Sequence, residues 1–398
     1  MIVLGGTYEE ICRDPASIDL IGSGQRAAAV LRSVVADELE LITAVDDDTL
    51  SDAETLAQGG GVPLRVVERS EPVRFIYATP LSAPIVSGAR ATISGEIEAD
   101  ADVALAFGML ETRVRARARR LVFDPQQPQD LTPLSLGPVE ADHLALVANA
   151  AETQALAGGS RSLEEAAQQL LAGSAAEVLI TKAGARGALV TTGDAQEWIG
   201  PHPTPEVWPI GSGDVFAAGF AWAWGKEEAD PVEAARAGSM AAAHWCKSQR
   251  LNLPAEAFKI SPSSELAPRQ GRVYLAGPFF NVAERWLIEL VNESMRSLGG
   301  FVFSPLHDVG RGHDIAAQDI AGLEDCTAML ALLDYCDPGT MFEVGWARKF
   351  DIPVIGLSQQ LDLEAMKMLS GTGVVIREDL SSAVYQALWA SMGASVVG

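Results

Sequence analysis

Two acidic residues stand where the local pattern gives a carboxylate chemical work. The first is Asp214, which closes the turn Gly211-Ser212-Gly213-Asp214. A small-residue turn followed by the apolar run Val215–Trp224 predicts a helix whose first backbone N–H groups converge on an anion. A carboxylate inside an anion site is electrostatically unfavourable unless it takes a proton. The proton to take is that of a hydroxyl attacking a phosphoryl group. The local alternative is an N-cap Asp after a glycine turn. The second residue is Glu343, in Asp337-Pro-Gly339-Thr-Met-Phe-Glu343-Val-Gly345. Asp337 is expected in a loop and Glu343 in the first turn of the next helix, with Asp319 upstream. Tyr274-Leu-Ala-Gly277-Pro278 places Gly-Pro where an apolar strand ends. Carboxylates gathered at one strand edge suit glycosidic chemistry, in which one attacks or stabilises an oxocarbenium-like centre. Here too a local reading exists, with Glu343 complementing a helix N-terminus and Asp337 capping a turn.

The rest of the chain must position these groups. It has 398 residues, 48% apolar and 21% charged, which is material for two domains with large cores. The formal charge of -24 disfavours nucleic acid and anionic membranes as partners, and leaves small phosphate ligands to local backbone amides. Cys12, Cys246, Cys326 and Cys336 are scattered without a CxxC spacing, which suits free thiols in a reducing cytoplasm. His307 and His313 lie in a glycine-rich loop and read as solvated. The chain starts on strand-like Met1–Leu4, so no signal peptide is expected, and no apolar run reaches the length of a membrane span.

Ile2–Leu4, Ile18–Ile21 and Leu39–Val45 read as strands, and Gln25–Val35 as an Ala-rich helix after Gly22-Ser-Gly24. Pro63–Glu98 is β-like and broken by Pro and Gly, the pattern of a small sheet or lid. Val103–Phe107 and Arg120–Phe123 read as buried strands, and the arginine-rich Glu111–Arg119 between them as a solvated helix face. Strands are predicted at His143–Ala148, Glu177–Thr181 and Ala188–Thr192, with helices at Leu163–Ala172 and Pro231–Lys247. This alternation implies a mainly parallel three-layer α/β sheet with ligands at the strand carboxyl ends. Pro254–Arg272 reads as a border. Beyond it, strands at Val273–Ala276, Phe301–Ser304, Ala328–Leu333, Pro353–Leu357 and Val374–Arg377 alternate with helices. Those helices are Ala283–Leu298, Ile315–Glu324, Met341–Phe350 and Leu380–Met392, giving a five-stranded parallel, flavodoxin-like or Rossmann-like domain.

Asn149-Ala-Ala-Glu152, Thr181-Lys182-Ala-Gly184-Ala-Arg-Gly187 and Gly211-Ser-Gly-Asp214 with Phe216-Ala-Ala-Gly219, in that order, resemble the ribokinase-like (PfkB) carbohydrate and nucleoside kinases over residues 1–260. The resemblance implies that Asp214 is the base for the acceptor hydroxyl, while amides of Gly211, Ser212 and Gly213 hold the transferring phosphoryl group. It implies ATP and Mg²⁺ as cofactors. Asn149 and Glu152 would organise the magnesium through waters, Gly184 and Gly187 would approach the nucleotide, and Lys182 would join the nucleotide site. The chain departs from that pattern at the acceptor end. Trp208 stands where the family carries an Asp, Ala27 lies near the slot of a sugar-binding Asn, and Asp124-Pro125-Gln126 replaces Asp-Pro-Asn.

Tyr274-Leu-Ala-Gly277-Pro278-Phe-Phe and Asp337-Pro-Gly-Thr-Met-Phe-Glu343 resemble nucleoside 2-deoxyribosyltransferases and related deoxynucleotide N-glycosidases over residues 272–395. That resemblance makes Glu343 the nucleophile on the anomeric carbon, oriented by Tyr274. Asp337 would contact the sugar hydroxyls and Asp319 the base, while Gly277, Pro278 and Gly339 line the substrate. The family's intersubunit Asn has no match in Leu361–Met368, nor its base-reading Gln in Leu306–Gly312. The expected fold is therefore a ribokinase-like domain (1–260) with a β lid, a linker (261–271), and a flavodoxin/Rossmann-like domain (272–398). The expected activity is bifunctional: cleavage or transfer of the N-glycosidic bond of 2′-deoxynucleosides or their 5′-monophosphates, plus ATP-dependent phosphorylation of a sugar or nucleoside. The alternative is a kinase-like nucleotide sensor and scaffold attached to the glycosidase. Partners are expected to be small nucleosides, nucleotides and sugars, and a homo-oligomer is expected, with the Pro63–Glu98 insert as a dimer surface.

Overall fold

The computed structural model describes residues 1–35, 38–126, 139–159, 162–193, 195–259, 265–310, 315–334, 337–360 and 363–395. Its contacts divide the chain into two compact units. The first comprises Met1–Ala183, Gly187–Ile199 and Pro209–Ser263; the second comprises Gly184–Arg186, Gly200–Trp208 and Ser264–Gly398.

The first unit runs through β1 (Ile2–Leu4), β2 (Glu9–Cys12), β3 (Ser17–Leu20), α1 (Gly22–Leu31), β4 (Glu40–Val45), α2 (Leu50–Gly60), β5 (Leu64–Glu68), β6 (Arg74–Tyr77) and β7 (Ile85–Ser87). It continues with β8 (Glu98–Phe107), β9 (Arg115–Asp124), β10 (Val139–Asn149), α3 (Ala150–Leu156), α4 (Leu163–Ala172), β11 (Val178–Lys182), β12 (Ala188–Thr192), β13 (Ala195–Ile199), α5 (Ser212–Phe220) and α6 (Pro231–Ser248). Among the described residues the main sheet has nine strands in the order β13-β12-β11-β10-β9-β8-β1-β4-β5. The β11/β12 and β12/β13 pairs are antiparallel, and the other pairs are parallel.

Alternation along each strand splits its side chains between two faces. Leu4, Ile42, Ala104, Leu121, Leu146 and Leu179 join Ala167, Leu170 and Leu171 of α4 in one core. Their neighbours Val3, Leu41, Leu105, Val122, Val147 and Ile180 are equally buried on the other face. There α1, α5 and α6 pack together, which sets α5 beside the carboxyl ends of the central strands.

Three local expectations change. Glu111–Arg119 contributes no helix: from Arg115 it is the outer half of β9, because Arg115, Arg117 and Arg119 alternate with buried Ala116 and Ala118, a strand period. The lid is a four-stranded sheet, β3-β2-β6-β7, that draws half its strands from before α1. Thus Ile18–Ile21 contributes to the lid rather than the main sheet, while Leu64–Glu68, within the expected lid, pairs with β4 in the main sheet. The helix at the glycine turn starts earlier than Val215: Gly211 is its N-cap, and Ser212, Gly213 and Asp214 form its first turn.

The second unit contains β14 (Arg272–Ala276), α7 (Val282–Ser297), β15 (Phe301–Phe303), α8 (Ala316–Glu324), β16 (Ala328–Leu332), α9 (Pro338–Lys349), β17 (Val354–Leu357), α10 (Leu363–Gly371), β18 (Val375–Arg377) and α11 (Leu380–Ser391). Its sheet is entirely parallel in the order β15-β14-β16-β17-β18. That order reverses direction between β14 and β16, where a crevice opens beyond the strand ends. Among the described residues no helix is long and apolar enough to cross a membrane.

Candidate functional site

In the first unit, the adjacent strands β9, β10 and β11 end in Asp124, Asn149 and Lys182. Lys182 Nζ donates to Asp124 Oδ2 at 2.5 Å. Burial pushes the Asp124 carboxyl up and the ammonium pulls it back; for Lys182 burial opposes the charge, but Asp124 and Glu152 outweigh it and raise its pKa. Asp124 is fully buried, and its Oδ1 has no partner among the described residues. Asn149 N-caps α3 in a reciprocal box: its side chain accepts from the Glu152 amide at 2.8 Å, and Glu152 Oε2 accepts from the Asn149 amide at 2.7 Å. The side-chain acceptor of Asn149 is therefore committed to the cap. Gly184 (φ +56°) and Gly187 (φ +92°) shape the turn after β11.

The glycine turn is crowded. Gly211 has φ +77°, and a Cβ there would lie 2.1 Å from Nε of Arg26. A Cβ on Gly213 would lie 3.2 Å from Lys182 Nζ, which puts that ammonium beside the glycine turn. Asp214 is 8% exposed. Its Oδ2 accepts from Arg26 Nη1 at 2.5 Å and its Oδ1 from Gln126 Nε2 at 2.6 Å. Arg26, 2% exposed, also donates through Nη2 to Glu10 Oε2 of lid strand β2 at 2.5 Å. Its guanidinium lies over the Trp245 ring, 5.2 Å from the centroid. Burial works against that charge, but Glu10 and Asp214 outweigh it and raise the pKa further. For Glu10 burial prevails over the attraction of Arg26 and raises its pKa.

The residue that reaches the turn from α1 is thus Arg26, next to the fully buried Ala27 singled out in the sequence. Sequence reasoning missed Arg26 and Glu10, and read Asp124 only as part of Asp124-Pro125-Gln126. The available signal was a single charged residue in the otherwise uncharged Gly22–Leu31.

In the second unit, β14 delivers Tyr274 and α9 delivers Glu343. The Tyr274 hydroxyl donates to Glu343 Oε1 at 2.8 Å, and its ring stacks on Phe303 at 5.5 Å. Glu343 lies in the second turn of α9, because Asp337 is the N-cap and the helix begins at Pro338. The expected first-turn position, and the dipole role it carried, therefore do not apply. Burial raises the Glu343 carboxyl to about 7; the Tyr274 hydrogen bond lowers it, and Asp319 and Asp337 push it up.

Asp337 caps the helix as its local reading held, Oδ2 accepting from the Thr340 amide at 2.8 Å and the Thr340 hydroxyl at 3.1 Å. Asp319, on α8, is raised by burial, and its Oδ1 has no partner among the described residues. Glu343, Asp319, Asp337, Gly277 and Gly339 line one cavity of about 420 Å³, with Phe279, Phe280 and Arg285 at its wall. Pro278 lines a separate small cavity with Asp334 and Leu357. His307 is engaged by Ser304 at 3.0 Å and Glu289 at 2.8 Å; His313 and Cys336 lie outside the described residues.

Residues 111–257 match the pfkB family of carbohydrate kinases, and residues 273–374 match nucleoside 2-deoxyribosyltransferase. Both families are enzymes, and together they support a bifunctional enzyme of nucleoside and sugar metabolism. Among solved structures, a phosphofructokinase-2 variant from Escherichia coli aligns with TM-score 0.51 and 16% identity over 65% of this chain and 96% of that one. A ribokinase from Thermotoga maritima aligns with TM-score 0.50 and 18% identity over 65% and 97%. At that identity the likeness shows the ribokinase-like fold alone. No curated protein matches the chain in sequence.

Proposed function

We propose that the second unit breaks the N-glycosidic bond of a 2′-deoxynucleoside or its 5′-monophosphate, and that the first unit phosphorylates a sugar or nucleoside hydroxyl from ATP. The observation that carries the glycosidic reading is the Tyr274–Glu343 hydrogen bond at 2.8 Å, at the wall of a cavity shared with Asp319 and Asp337. Glu343 attacks the anomeric carbon as the carbon–nitrogen bond to the base breaks, forming a deoxyribosyl ester. Asp319, raised by burial, holds a proton more readily than a free carboxyl and gives it to the departing base. Water or a second base then releases the sugar from Glu343. Asp337 contacts the sugar hydroxyls through its edge of the cavity.

In the first unit, Asp214 takes the proton of the acceptor hydroxyl as the hydroxyl oxygen bonds to the γ-phosphorus and the bond from that phosphorus to the β,γ-bridging oxygen breaks, releasing ADP. The Gly211–Gly213 amides and Lys182 hold the transferring group. Magnesium fits the oxygen donors here: Asp124 offers a buried, unpartnered oxygen beside Glu152, and a hard cation favours carboxylates, waters and phosphate oxygens. Asp124 and Glu152 would hold it, and it would neutralise charge on the nucleotide phosphates. Asn149 acts by fixing Glu152 through the cap.

A second reading, in which the first unit binds nucleotide without turnover, is favoured by the engagement of both Asp214 oxygens. The homo-oligomer expected from sequence finds support in exposed Ile18 and Ile85 on the lid and in the exposed aromatic row Phe342 and Phe350 flanking Trp346 on α9. Mass measurement in solution tests it. A reducing cytoplasm suits the free thiols Cys12, Cys246 and Cys326.

The test of the function is incubation with deoxynucleosides and their monophosphates, with and without ATP, followed by mass spectrometry. Free base, or a new nucleoside when a second base is supplied, is expected from wild type and not from Glu343→Ala. Undiminished base release by that variant sinks the glycosidic assignment. Absence of ATP turnover on every sugar and nucleoside favours the second reading.

A further inference from the structure

The Glu10–Arg26–Asp214 chain stands where an acceptor must arrive, between the lid strand β2 and the base on α5. Asp214 occupies Nη1 of the guanidinium. Nε and Nη2 form the fork that binds a carboxylate or phosphate through two oxygens. Glu10 fills only half of that fork: one oxygen takes Nη2, and Nε is buried with no partner among the described residues. Gly211 leaves room for the guanidinium because it has no side chain, and the Trp245 ring backs it. A planar, always-charged group fixed in this way, with one donor unsatisfied, is prepared for an oxyanion of better fit than a lid glutamate. Glu10 is also held at a cost, since burial raises its pKa despite the arginine. Tyr77, on β6 beside β2, is likewise raised by burial and by Glu10.

We propose that the Nε–Nη2 edge of Arg26 is an acceptor subsite, and that the first unit phosphorylates a hydroxyl of an acidic sugar whose phosphate or carboxylate replaces Glu10. The sugar anion forms two hydrogen bonds to Arg26, Glu10 is released toward solvent with the lid, and the reacting hydroxyl faces Asp214. This rests on the reading of the first unit as a phosphoryl-transfer site. It also defines a reaction class upstream: one that delivers a sugar already carrying an anionic group, as glycosidic cleavage of a nucleoside monophosphate does.

The test uses the full chain, with calorimetric binding and ATP-dependent phosphorylation measured on matched pairs. These are 2-deoxyribose 5-phosphate against 2-deoxyribose, ribose 5-phosphate against ribose, and gluconate against glucose; the phosphate and carboxylate arms identify which oxyanion fits. Acidic members are expected to bind at least tenfold tighter than neutral ones. Glu10→Gln removes the competing charge and keeps an acceptor for Nη2, so it is expected to tighten acidic sugars several-fold. Glu10→Gln combined with Arg26→Gln removes the Glu10 charge together with the cation, leaves Asp214 its Gln126 hydrogen bond, and is expected to abolish the preference.

Acidic-sugar binding that is lost in the double variant, without phosphorylation of any sugar, would sustain the subsite and overturn the kinase reading. Phosphorylation of neutral sugars or nucleosides with no preference for acidic ones overturns the subsite and leaves the kinase reading intact. No binding of any acidic sugar overturns the subsite as well.

Discussion

Glu343→Gln separates the two properties of the buried carboxyl in the second unit. The folded site raises this group from its ordinary 4.5 to about 7, mainly by burial. Folding therefore binds a proton that the unfolded chain releases. The charged form costs nothing below the unfolded pKa. The penalty grows as pH rises through the interval and is complete above about 7. Linkage makes it about 1.5 kcal/mol at pH 5.5 and roughly 3 kcal/mol at pH 8. Glutamine is neutral at both values, and its carbonyl oxygen still accepts the Tyr274 hydroxyl. The variant is therefore expected to be more stable than wild type by about 3 kcal/mol at pH 8, shrinking by roughly half at pH 5.5. Urea unfolding of the full chain at the two pH values, both above the isoelectric point near 4.5, measures this. The same variant is expected to lose base release at both. Equal or lower stability at pH 8, or a gain independent of pH, refutes the argument that burial holds Glu343 above the ordinary carboxylate range.

Tyr274→Phe removes the hydrogen bond that favours the ionised Glu343 carboxylate. With about 1–1.5 kcal/mol lost, base release near neutral pH is expected to fall about tenfold and to recover in part at higher pH, read from a pH–rate profile. Asp214→Asn is expected to lower phosphoryl transfer at least ~100-fold while nucleotide binding by calorimetry is retained. Gly211→Ala places a Cβ in the left-handed region and within 2.1 Å of Arg26, so both stability and phosphoryl transfer are expected to drop. Strain and displacement together are worth on the order of 1–3 kcal/mol in thermal or urea unfolding.

The second unit was legible almost strand by strand because parallel strands buried on both faces read as short continuous apolar runs, such as Ala328–Leu332. Glu343 and Tyr274 were found from their words in the sequence, yet their contact depends on β14 and α9 meeting across the switch point, which no local pattern encodes. In the first unit, the arginines of Glu111–Arg119 hid a strand because long polar side chains on one face outweigh small alanines on the other. The lid was misassigned because β2 and β6 pair across 65 residues, from Glu9 to Arg74, and that partnership is encoded in neither segment alone. Arg26 was overlooked because an ionic side chain in an alanine-rich helix signals a solvated position. Glu10 and Asp214, from distant elements, make its burial tolerable.

The proposed reaction has Glu343 bond to the sugar during turnover. Acid quenching of the wild-type chain during reaction with a deoxynucleoside or its monophosphate, followed by peptide mass spectrometry, looks for that bond. A deoxyribosyl or phosphodeoxyribosyl adduct is expected on the peptide containing Glu343, absent from Glu343→Gln. Base release that continues in Glu343→Gln, with no adduct on wild type, would contradict it.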